Sequence, residues 1–320
     1  MFNADSARKF PPRKTASAVL RVAVTAALLA LLWQLTDGPQ VVTLLRQTQW
    51  PWLLAALAAA HAQVLLSALR WRLTAAQLDQ PMRRRDAIGE YYLSQFVNLA
   101  VPGGVLGDAG RAVRQRHQAG MLRAAQAVVL ERLVGQVALF SVLFLGVFVV
   151  VLRPGGLNLP EWLSDFVGWL ALGLLGAVIA GAVLLAVPGR VARMTAGFVA
   201  ALRLGLLAPR VWPQQVVLSL LIVACNLGSF ALCARATGTI LSFAETVTIL
   251  PLILTAMMIP FSVGGWGLRE GAAAAIWPVI GAQAEAGIAA SIAFGLVILV
   301  ASLPGVWVLL ARRQLSGPPA

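Results

Sequence analysis

Residues 133–152 contain no charged side chain, and none of the segments 16–35, 52–69, 163–187, 213–235 and 286–310 holds more than one. A helix needs about 20 mainly apolar residues to cross a bilayer. Repeated runs of this kind have no soluble core to enter in a chain of 320 residues, 59% of them hydrophobic and only 12% charged. A soluble domain carries about 25% charge, and the mean hydropathy of +0.83 points the same way. The expected fold class is all-α, a polytopic helical membrane protein, with no room beside the spans for a sizeable soluble domain.

Lys and Arg number 25 against 12 Asp and Glu, a net charge of +13. In a soluble protein that excess suggests nucleic acid. Here the basic residues stand at the ends of apolar segments, where they set topology and attract anionic head groups, so no nucleic-acid partner is expected. Arg8, Lys9, Arg13 and Lys14 make residues 1–15 a basic tail. Arg70, Arg72 and Arg83 to Arg85 follow the second span, and Arg312 and Arg313 open the tail 312–320. The positive-inside rule then places both termini in the cytoplasm, and Trp50-Pro51-Trp52 reads as an interfacial aromatic belt.

Two stretches interrupt the apolar pattern. Residues 260–270 read Pro-Phe-Ser-Val-Gly-Gly-Trp-Gly-Leu-Arg-Glu, and residues 102–111 read Pro-Gly-Gly-Val-Leu-Gly-Asp-Ala-Gly-Arg. They share P-x-x-V-x-G-x-x-x-R without a gap, which sets Val105 on Val263, Gly107 on Gly265 and Arg111 on Arg269. Paired Gly/Pro interruptions in the two halves of a membrane protein point to a site built from repeated halves, about 16–152 and 163–311. Residues 87–101 are short and polar (Glu90, Ser94, Gln95, Asn98), with basic residues on both sides. They read as a re-entrant helix followed by a basic surface helix at 109–120. Residues 244–259 and 271–281 make a second re-entrant pair of opposite sense. This accounting gives six full spans; eight full spans is the alternative.

Irregular backbone and charge at membrane depth persist only where they are buried in protein or face water. Three acid-base sets stand near the breaks or span ends: Asp108 with Arg111, Glu131 with Arg132, and Arg269 with Glu270. Arg111, Arg132 and Arg269 are candidates for holding a lipid phosphate, because a guanidinium meets a phosphate bidentately. The alternative is that all three sets are salt bridges tying the breaks to the spans. Gly264, Gly265 and Gly267 offer either an N–H nest for an anion or a tight reversal. Glu90, Tyr91, Tyr92, Gln95 and Asn98 are candidates for the wall of a wet cavity. His61 reads as an interhelical hydrogen-bond partner, and Cys225 and Cys233 as packing residues. No catalytic motif, P-loop or metal-ligand spacing occurs, so no enzyme activity, cofactor or metal is expected.

The order Pro102-Gly103-Gly104, Gly107-Asp108, Arg111, then Glu131-Arg132, then 260–270 resembles the membrane region of the lysylphosphatidylglycerol synthase family over about residues 16–311. One departure is Leu106, where the usual pattern looks like Gly-Gly-Asp-x-x-Arg. The resemblance implies a bacterial inner-membrane protein that moves, or helps to move, a lipid between leaflets, and the three arginines make a phosphate-bearing lipid the expected one. A partner lipid-synthesis enzyme is one open expectation beside the membrane lipids themselves. In the synthases a soluble domain follows the membrane region; too few residues follow the last span here for that domain, so the synthase activity is not expected. The remaining alternatives are an intramembrane lipid-modifying enzyme, with Asp108, Glu131 or Glu270 as base, and a non-transporting subunit of a biosynthetic complex.

Overall fold

The structure is a computed structural model that describes residues 12–101, 104–152, 160–186, 190–259 and 262–315. Pro102, Gly103, Pro260 and Phe261 of the two breaks lie outside the described residues. So do Arg8, Lys9, the loop residues Pro154 to Gly156, residues 316–320, and the side chains of Arg13, Lys14, Arg190, Arg193, Arg312 and Arg313.

Twelve α-helices follow one another along the described residues: α1 (Pro12–Leu35), α2 (Gly38–Arg46), α3 (Trp50–Gln77), α4 (Arg84–Ala100), α5 (Leu106–Leu152), α6 (Glu161–Ala186), α7 (Arg190–Leu202), α8 (Trp212–Ala236), α9 (Phe243–Ala256), α10 (Leu268–Ile276), α11 (Ala284–Ser302) and α12 (Pro304–Leu315). No strand occurs among the described residues. Among the described residues five helical stretches are long and apolar enough to cross a bilayer, and the count is six if α1 and α2, bent by 96°, are taken as one span.

The segment expected to connect the first two spans contains a short helix, α2. Asp37 accepts from the N–H of Gln40, and Pro39 occupies the first turn, two features that start a helix. The second span is also longer than its apolar run, since α3 carries Arg70, Trp71 and Arg72 inside its last two turns. The last span breaks at Leu303 and continues as α12, because Pro304 cannot donate into the preceding turn.

The most extensive helix pairing is α3 with α8. The two run antiparallel: the N–H of Gln49 donates to the carbonyl of Ala236, Ser229 donates to the carbonyl of Ala56, and Gln215 donates to Thr74. Ala56, Ala60, Ser67, Ala68 and Ala75 form the buried face of α3, small residues that let backbones approach where lipid gives no hydrophobic drive. The largest core cluster lies between α3, α5, α8, α9 and α11. Its aromatic centre is Phe230 stacked on Phe294 at 4.5 Å and on Trp277 at 6.3 Å. Around this core the outward faces are apolar, among them Leu145, Phe148, Trp169, Val178 and Leu220. A surface of this kind is stable against acyl chains.

Both breaks are helical hairpins. In the first, Asn98 reaches Gly107 and Asp108, Ser94 reaches Asp108, and Glu90 reaches Arg114, so α4 and the opening arm of α5 run antiparallel. That arm ends at Gly120, whose φ of 85° interrupts the helix before the long apolar run. The arm is not simply a surface helix: Arg116 and His117 are exposed, but Arg111 and Ala112 are buried. In the second hairpin the capping box of Ser242 and Glu245 starts α9. The indole N–H of Trp277, just past α10, donates to Thr239, just before α9. With 14 residues, α9 reaches about 21 Å, short of a bilayer core of about 30 Å. The hairpins touch one another, since a Cβ on Gly264 would lie 3.5 Å from the carbonyl of Leu99.

Candidate functional site

The first hairpin brings Asp108 and Arg111 against Glu131 and Arg132 of the long part of α5, but the pairing differs from sequence adjacency. Glu131 does not pair with Arg132. Neighbours on a helix point about 100° apart, and each finds a partner elsewhere. Glu131 binds Arg70 at 2.8 Å and Arg111 at 3.3 Å and accepts from the hydroxyl of Tyr91. Arg132 binds Asp108 at 2.7 Å, and Asp108 also holds Arg111 at 3.1 Å. Ser94 and Asn98 both donate to Asp108.

Three guanidiniums therefore share two carboxylates, a surplus of one positive charge, while Glu90 with Arg114 adds a neutral pair beside them. Arg70, Arg111, Asp108 and Glu131 are all buried, whereas the side chain of Arg132 is 50% exposed. Removing either carboxylate would leave uncompensated buried charge, so the set stands as a unit. Arg111 sits with its guanidinium 4.4 Å from the ring centre of Trp71 and 4.8 Å from that of Tyr91. Its Nε and Nη1 have no hydrogen-bond partner, and the aromatic faces supply attraction in their place.

A polar cleft of about 120 Å³ opens beside this cluster. Arg70, Tyr91, Glu131 and Arg132 give it an ionic lining, and Gln63, Gln136 and Asn226, on α3, α5 and α8, add neutral amides to its wall. Gly135 also lines the cleft, and a Cβ there would lie 3.1 Å from Nη2 of Arg70.

Arg269 belongs to a second, separate cluster. It is buried, donates twice to Glu270 at 2.5 and 3.1 Å and once to Ser291 at 2.8 Å, and lies 5.1 Å from the ring of Trp266 and 5.5 Å from that of Phe294. Glu270 also accepts from the N–H of Gly267 at 2.6 Å, so an anion from the protein itself already occupies that N–H. Gly264, Gly265 and Gly267 have φ of 58°, 82° and 86°, the backbone of a tight reversal. The motif repeat is thus a geometric likeness: Arg111 and Arg269 are each buried against two rings and a nearby carboxylate. The shared glycine serves differently in the two copies. Gly107 has ordinary helical backbone, and a Cβ there would collide with the carbonyl of Ser94.

The polar residues of α4 mostly serve this cluster: Glu90, Tyr91, Ser94 and Asn98 bond within it, while Tyr92 meets Nδ1 of His61 at 2.9 Å. Arg70 and Trp71 are the residues that reading by hydropathy missed, because a charge at the end of an apolar run looks like a topology signal. Helical spacing supplies the missing cue. Ala60, Val64, Ser67, Trp71 and Thr74 step by three or four along one buried face, and Arg70 lies on it.

A helical membrane protein with a net-positive ionic cluster at the root of a polar cleft is the class that these features define. The chain belongs to the lysylphosphatidylglycerol synthase transmembrane-region family, whose sequence profile matches residues 18–305, nearly its whole length. That membership links it to lipid handling in the membrane. A search of curated proteins found no match.

Proposed function

We propose that the protein carries a phosphate-bearing lipid between the leaflets of the bacterial inner membrane, or assists that step for a lipid-synthesis enzyme. The observation that carries this reading is the half-exposed Arg132, anchored by Asp108 in a cluster with one surplus positive charge and set on a polar cleft within an apolar exterior. A phosphodiester brings one negative charge, which neutralises the surplus, and the head group crosses against polar walls while the acyl chains stay in lipid. The two hairpins re-enter the membrane rather than cross it, with both termini cytoplasmic by the distribution of Arg. Chemistry by Asp108, Glu131 or Glu270 would need a carboxylate free of its arginine, and each of the three is ion-paired.

The test is reconstitution into liposomes carrying a fluorescent phospholipid in the inner leaflet, followed by an external quencher. Protein-dependent loss of the protected fraction is expected. A protected fraction as stable as in empty liposomes, with the protein folded, would refute translocation by this chain alone.

A further inference from the structure

The long helix α5 is two helices that meet at Gly120, and little fixes the angle between them. Gly120 has φ 85° and ψ 164°, a backbone open to glycine, and nothing beyond its chain neighbours would lie within 4 Å of a Cβ there. Met121 and Leu122 beside it are exposed. The apolar seal between the two parts is small, Ala112 against Ala124 and Val128. What else closes the corner is ionic.

The charges sort cleanly by side. α4 and the opening arm of α5 form one side, where Asp108 pairs with Arg111, Glu90 pairs with Arg114, and Ser94 and Asn98 donate to Asp108. The long part of α5 and α3 form the other, where Glu131 pairs with Arg70, itself held by Ser219. Crossing the seam are Asp108 with Arg132 at 2.7 Å, Arg111 with Glu131 at 3.3 Å, the Tyr91 hydroxyl on Glu131, and the face of Trp71 under Arg111. If those crossing contacts part, each carboxylate still has an arginine, and Arg111 keeps Asp108 and the ring of Tyr91. Arg132 alone is left without a carboxylate. An uncompensated guanidinium is costly, which holds the seam shut in the empty protein. A phosphodiester on Arg132 supplies the missing negative charge and competes with Asp108 for the same group.

We infer that the seam between the opening arm and the long part of α5 is a latch worked by the lipid phosphate: Arg132 exchanges Asp108 for the phosphate, and the two parts open about Gly120. This rests on the phosphate-binding reading above and deepens it by naming the element that moves and the contact that triggers it. A ligand shifts such an equilibrium only by its differential affinity for the two states, and the unpaired Arg132 of the open state provides that difference.

The latch is tested by the reactivity of a thiol placed in the seam. Ala112→Cys is made in a chain whose Cys225 and Cys233 are replaced by Ala, and the purified protein in a phosphate-free detergent is reacted with a water-soluble maleimide. Short-chain phosphatidylglycerol is expected to speed labelling about ten-fold, the shift that exchanging one charged contact gives. The matching diacylglycerol, which lacks the phosphate, should leave the rate unchanged. Arg132→Gln should abolish the lipid-dependent rise. A rate indifferent to the phospholipid would overturn the inference, as would a rise that survives Arg132→Gln or an equal rise at the exposed Arg116→Cys. Inorganic phosphate acting as well as the lipid would make free phosphate the trigger and refute a lipid-operated latch. Should Ala112→Cys fail to fold, Val128→Cys enters the same seam from its other side and carries the same expectations. In liposomes, Ala112→Cys with Ala124→Cys, joined by a cleavable bifunctional thiol reagent, should stop lipid exchange, and cleavage should restore it. Exchange that continues in the cross-linked protein would sink the latch and leave translocation standing. Lipid-dependent labelling in a protein that exchanges no lipid would do the opposite.

Discussion

Arg132 and Arg70 stand one helix apart on the same cleft, yet their environments give them different work. Arg132 is half exposed and holds only Asp108, so Arg132→Gln removes the proposed phosphate contact while Asp108 keeps Arg111, Ser94 and Asn98. Arg70 is buried and joins Glu131 to Ser219 across α3, α5 and α8. Glu131→Ala would leave Arg70 and Arg111 buried without their shared partner, and a loss of about 3–5 kcal/mol is expected in unfolding of the detergent-solubilised protein. Gly135→Val acts on the same cluster by volume: its side chain pushes on Arg70, and lipid binding should weaken in titration while the expression level holds. Arg269 takes the opposite part. Closed in by Glu270, Ser291, Trp266 and Phe294, it fastens the second hairpin, and Arg269→Lys, unable to reproduce the fork of bonds, should lower the unfolding temperature.

At the scale of elements, the hairpins depend on a few contacts that side chains cannot replace. Gly107→Ala drives a methyl into the carbonyl of Ser94, separates α4 from α5, and should cost about 1–3 kcal/mol in the same unfolding measurement. The spans were legible as helices from their apolar runs, and both hairpins from the glycine and proline that interrupt those runs. α2 was not, since nine residues with a Pro start carry little hydropathy and depend on the Asp37 cap. The site was legible in part. Asp108, Arg111 and Glu131 stood out as charges beside membrane segments, and Asp108 with Arg111 is a pair three residues apart on one helix, but the partners of Glu131 and Arg132 depend on how α3 and the two arms of α5 pack, which no spacing along the chain encodes. Arg70 was hidden by its place at the end of a run, where positive charge has an ordinary reason to be. Arg269 was grouped with Arg111 by motif; its partners, on α10 and α11, set it apart.

For the whole molecule the central claim is that the surplus charge at Arg132 lets a phosphate-bearing lipid cross through the cleft beside it. Apolar outer faces and a buried ionic core make a body suited to lipid, with a polar cleft beside that core. The most direct measurement compares lipid exchange in liposomes by the wild-type chain, by Arg132→Gln, and by Arg203→Gln, which removes an exposed charge that does not line the cleft. All three proteins are first matched for folding and for amount reconstituted. The account predicts at least about a ten-fold slower exchange for Arg132→Gln, the effect of losing one charged hydrogen bond, and a wild-type rate for Arg203→Gln. Equal rates for all three, or equal slowing by both substitutions, would contradict it.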